Sequence, residues 1–161
     1  MQAVAARLGH ARLCEVDREA FDAQLPALRD EFGDRAILRC IHYWHENALV
    51  DERWRQLNIG DMQAFLELTR ESGASSAMYL QNVVASLGPE QPAMYALGLA
   101  EHVLKGRGAV RIHGGGFGGT IQAFVPLELV DEFTRKMDAW LGEGASRRYR
   151  VTDEGAYAAW L

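Results

Sequence analysis

A chain of 161 residues with 48% apolar content can bury one ordinary core, so a single domain over residues 1–161 is expected. Its formal net charge of -5 leaves no basic face for nucleic acid or a membrane surface, and no apolar run approaches the ~20 residues of a membrane span. The N-terminus has no signal-peptide core, and Cys14 and Cys40 lack ligand spacing and sit among apolar neighbours, which predicts a soluble, cytoplasmic protein with reduced, buried thiols.

Residues 1–8 predict a short helix ended by Gly9, and Ala11 to Val16 a short strand. Asp17 reads as a helix cap ahead of Phe21, Leu25 and Leu28, a stripe that Pro26 interrupts. Gly33-Asp34 ends that piece and caps the next. The longest element follows over about 35–58, with Ile37, Ile41, Trp44 and Ala48 at helical spacing and Val50, Trp54 and Leu57 extending the stripe. Gly60-Asp61 repeats the stop-and-cap signal before a second amphipathic helix through Met62, Phe65, Leu66 and Thr69. The short connection makes the two helices antiparallel neighbours.

Beyond the small residues Ala74, Ser75 and Ser76, Met78 to Val84 reads as helical, ending near Ser86 to Pro89. Another helix starts at Pro92, a residue suited to a first turn, and carries Met94, Leu97, Ala100 and Leu104. Ala109 to His113 and Thr120 to Val125 read as strands around a glycine-rich loop, Leu129 to Trp140 as a helix, and Tyr149 to Val151, alternating with Arg148 and Arg150, as a last strand. Helices on one face of a small antiparallel sheet of up to four strands make an α+β domain of ferredoxin-like type.

The chemistry-bearing residues are few. Gly114, Gly115, Gly116, Gly118 and Gly119 surround only Phe117, which is affordable where the main chain turns tightly or lies against something bulky, so the loop is a turn or a cradle. Gly114, Gly116 and Gly119 satisfy G-x-G-x-x-G, but a strand rather than a helix follows, so the dinucleotide fingerprint is not met. His42 and His45 lie three apart without an H-E-x-x-H pattern and read as structural. His113 reads as a strand-end side chain bonded to backbone rather than a general base. Asp17, Asp34 and Asp61 read as caps. Ser72, Ser75 and Ser76 have no acid–base pair and no G-x-S-x-G elbow; they are caps or they face a cleft.

Gly108 to Pro126, GAVRIHGGGFGGTIQAFVP, closely resembles the C-terminal glycine-rich signature of galactokinases, members of the GHMP-type small-molecule kinase superfamily. The likeness extends to Cys14-Glu15-Val16-Asp17, to Arg39 and His42 with Glu46-Asn47, and to the Gly60-Asp61 segment running through Phe65 to Glu71-Ser72. It departs after Ser72, where Gly73 and the run Tyr79 to Pro92 replace the family's His and V-S-x-P-E-L-D. The resemblance implies phosphoryl transfer from ATP, with Mg2+, to the 1-OH of galactose. The family's P-x-x-x-G-L-S-S-S phosphate loop, its sugar-recognition signature and its catalytic Asp and Arg lie in an N-terminal half that these residues do not include. It therefore implies a C-terminal domain without catalytic or metal-ligating residues of its own. Gly114, Gly115, Gly116, Phe117, Gly118 and Gly119 would shape the nucleotide cleft, and Ser75, Ser76 and His113 are candidates to face it. Such a domain would be inactive alone and would expose an apolar face on which copies associate. The alternatives are a non-catalytic sugar- or nucleotide-binding regulatory module, the C-terminal half of another kinase of the superfamily, or a structural, dimerising domain with a tight glycine turn.

Overall fold

A computed structural model describes residues 1–84, 88–117 and 119–151. Among them, seven α-helices and one hairpin follow in the order α1 (Gln2–Arg7), α2 (Arg18–Ala23), α3 (Leu25–Phe32), α4 (Asp34–Ile59), α5 (Met62–Ser75), α6 (Pro92–Leu104), β1 (Ala109–His113), β2 (Thr120–Phe124) and α7 (Val130–Leu141). The α+β architecture is the expected one, but among the described residues the sheet has two strands. They are antiparallel, in register from Ala109 opposite Phe124 to His113 opposite Thr120.

Local signals account for most helix ends. The Asp17 and Asp61 carboxylates accept the Ala20 and Ala64 N–H groups, each at 2.9 Å. Gly60 ends α4 in the left-handed conformation. Asp34 is not a cap: Gly33 holds that position, and Asp34 begins α4 with its carboxylate on Arg29.

Two expected strands do not form. Ala11 to Val16 contains a 3-10 turn at Leu13–Glu15, because the Glu15 carboxylate takes the N–H groups of Ala11 and Arg12 at 3.2 Å each. Leu13 and Val16, three residues apart, both enter the core, which an alternating strand would forbid. Residues 149–151 pair with no strand among the described residues, and Tyr149 and Val151 are exposed; Arg148 reaches Asp131 of α7 instead. The expected helix over Met78 to Val84 is a π-turn, Ser76–Leu80, closed by Gln81 in the left-handed region. Its expected end, Ser86-Leu87, lies outside the described residues.

The apolar interior falls into two main clusters. One gathers Val4, Leu13, Phe21, Leu28, Ile37 and Cys40 around the first half of α4. The other joins Ala100, Leu104, Val110, Phe133 and Met137, where α6 and α7 meet β1. At about 1.5 Å per residue α4 is roughly 39 Å long, longer than the elements that cover it. Its later stripe therefore differs from expectation: Leu49 is buried, whereas Val50, Trp54 and Leu57 are exposed, Trp54 at 68%. Cys40 is buried as expected, but Cys14 is exposed on the 3-10 turn.

Candidate functional site

The hairpin carries the glycine loop at its open end, six residues between the paired His113 and Thr120. Gly114, Gly115 and Gly119 are exposed, and among the described residues no atom beyond the chain neighbours lies within 4 Å of the place where a Cβ on Gly114 or Gly115 would sit. The outer side of the loop is thus open main chain. Gly116 is different: its φ is +83°, and an added Cβ would stand 2.4 Å from the Asn82 carbonyl oxygen and 2.8 Å from the Asn82 Cβ. Only there, among the loop glycines described, does a neighbouring backbone forbid a side chain. Gly118 lies outside the described residues.

The same asparagine holds the next residue. The Phe117 N–H donates to the Asn82 carbonyl at 2.6 Å, and Asn82 Nδ2 lies a long 3.4 Å from the Gly115 carbonyl. Phe117 takes a φ of +59°, unusual for a bulky residue, and is 46% exposed. Asn82 follows Gln81, at φ 58°, which ends the π-turn. Left-handed non-glycine residues and π-turns concentrate at functional sites, and here they face each other across one contact.

Behind the loop, a polar seam joins α4, α5 and β1. Ser72 Oγ donates to both Glu46 oxygens at 2.6 and 2.7 Å, and Arg53 and Arg111 reach Oε1 at 2.9 and 3.1 Å. His42 Nδ1 and Ser75 Oγ are 2.9 Å apart one turn further on, so the pairs 46–72 and 42–75 run antiparallel along the two helices. Burial pushes the His42 pKa below its ordinary value; nearby Glu46 opposes this, and Arg111 and His45 add to it. Gly73 lets α5 approach β1, since a Cβ there would stand 3.1 Å from the Val110 carbonyl oxygen. The seam thereby fixes the direction in which β1 delivers His113 and the loop.

Of the sequence candidates, the structure brings Gly114, Gly115, Gly116, Phe117 and Gly119 together at the hairpin tip, with His113 exposed at its base. Ser75 and Ser76 are buried, Ser75 against His42. His45 pairs with Glu71 at 3.3 Å. Among the described residues no three His, Cys, Asp or Glu side chains are grouped to hold a metal ion, and no helix is long and apolar enough to cross a membrane. Asn82 was missed in the sequence; its signal was the break between the small-residue run and Gly88-Pro89, where a polar residue with no helical face to serve invites a turn.

No family model matches the chain. A solved structure of galactokinase from Lactococcus lactis, complexed with galactose, is similar to it at 29% identity and a TM-score of 0.61. The match covers 83% of this chain and 32% of that one, so the chain spans about a third of that galactokinase's length. The likeness carried in sequence by the glycine loop and the helices before it is therefore also a likeness of fold: the chain is a galactokinase-like α+β domain.

Proposed function

We propose that this chain is the C-terminal domain of an ATP-dependent galactokinase, phosphorylating galactose at the 1-OH, and that it turns nothing over without a phosphate-holding N-terminal half. The observation that carries the reading is the glycine loop: anchored from within at Gly116 and Phe117, bare on its outer side at Gly114 and Gly115. A loop so built can lie against another main chain. Phosphoryl transfer depends on positioning and charge stabilisation more than on covalent chemistry, so a part that only shapes the cleft can be essential to it.

In this reading ATP, Mg2+ and the catalytic residues belong to the other half, and Gly114 to Gly119 close the nucleotide cleft. The exposed stripe Val50, Trp54 and Leu57 is the face on which isolated copies associate, and the protein works in the cytoplasm. The test is to mix the chain with a separately produced N-terminal half bearing the P-x-x-x-G-L-S-S-S loop and to measure galactose-dependent ADP release. Turnover by the mixture and by neither part alone supports the proposal. Calorimetric binding of galactose or ATP by this chain alone, with an inert mixture, would assign it instead to a non-catalytic binding module.

A further inference from the structure

The geometry points to Asn82 as the positioning residue of the glycine loop, setting the conformation in which the loop meets nucleotide; the inference rests on the kinase reading above. Asn82 holds the loop at three consecutive residues, through Nδ2 to the Gly115 carbonyl, by contact with Gly116 and through its own carbonyl to the Phe117 N–H. It is 2% exposed, so this hold is not shared with solvent. Gln81, the residue before Asn82, and Phe117 are both non-glycine residues in left-handed conformations, which persist only where the surroundings over-determine them.

Its side-chain orientation has one sense. Nδ2 faces the Gly115 carbonyl, and an exchanged amide would set two oxygens against each other. Oδ1 is left buried without a hydrogen-bond partner among the described residues. A buried acceptor in that state is costly. Asn82 touches no reacting atom in this scheme: it acts through the main chain of residues 115–117.

Two variants test it. Asn82→Ala removes the Nδ2 bond and the packing beside Gly116; Asn82→Asp keeps the size but cannot donate to the Gly115 carbonyl. In the full 161-residue chain, amide exchange at Gly116 and Phe117 should accelerate about three- to tenfold in both, a factor typical of one lost hydrogen bond. In the enzyme completed with its N-terminal half, both should raise the KM for ATP about tenfold and leave the KM for galactose within about twofold. Unchanged exchange overturns the inference, and so does faster exchange with both KM values unmoved, which would make Asn82 merely structural. An inert wild-type mixture would remove the kinase reading and the nucleotide role with it, while exchange alone would still decide whether Asn82 holds the loop.

Discussion

Replacing Gly116 by alanine probes the anchored side of the loop, and its neighbours supply the controls. At φ +83° an L-residue pays about 1–2 kcal/mol for the left-handed conformation. The new Cβ, 2.4 Å from the Asn82 carbonyl oxygen, must also push the loop outward, which sacrifices the Phe117 hydrogen bond at about 1 kcal/mol. The stiffer unfolded chain returns about 0.4–1 kcal/mol. The net cost is about 2 kcal/mol, or about 4–8 °C in melting temperature for a domain of this size. Gly115→Ala meets no atom of the described residues within 4 Å and has no left-handed φ, so it should melt within about 2 °C of wild type. Gly114→Ala, in open space at φ +71°, should fall between them. Thermal melts followed by circular dichroism give the order directly. Equal losses at Gly115 and Gly116, or a Gly116→Ala protein melting like wild type, would refute the anchoring of the loop on Asn82.

Other outcomes follow from the rest of the fold. Glu46→Ala strands the guanidinium groups of Arg53 and Arg111, whose side chains are only 16% and 21% exposed, and should destabilise the domain by about 3 kcal/mol in urea titrations. Arg12→Ala, which breaks the exposed pair with Glu15, should leave the urea midpoint where it was. His42 has its pKa lowered by burial, so the unfolded chain takes up its proton near pH 6.5 while the folded one resists until lower pH. Stability contributed by neutral His42 is therefore complete above about pH 6.5 and declines below it; His42→Gln should flatten that decline between pH 7.5 and 5.5, and a slope identical to wild type would contradict it. With a disulfide-exchange reagent, Cys14 should react at once in the native protein. Cys40, buried and with its thiol pKa pushed up by burial, should react only on unfolding; two fast thiols in the native state would refute its burial.

What the sequence made legible was whatever is decided within a few residues. The Asp17 and Asp61 caps, the Gly60 stop and the two strands flanking five glycines depend on local backbone chemistry, and each stands as read. The 3-10 turn at Leu13–Glu15 came from a contact within four residues, whereas the remaining failures have their cause in distance. Tyr149 to Val151 alternates like a strand, but a strand also needs an edge to pair with, and the alternation carries no information about one. Val50, Trp54 and Leu57 have helical spacing, yet nothing in their own segment tells that the covering elements end before them. The hold of Asn82 on residue 117 spans 35 positions and the Glu46–Arg111 pair spans 65, and no short pattern marks either. The glycines were legible as a loop; which of them is pressed and which is bare became visible only with Asn82 in place.

In the kinase reading, the bare edge of the loop is covered by a separate, phosphate-holding region. Amide hydrogen exchange of the chain, measured residue by residue with and without the N-terminal half bearing P-x-x-x-G-L-S-S-S, tests it most directly. Gly114 and Gly115 should exchange freely in the chain alone and become protected in the mixture, more so with Mg2+ and ATP. A mixture that phosphorylates galactose while those two amides exchange as freely as before would contradict it.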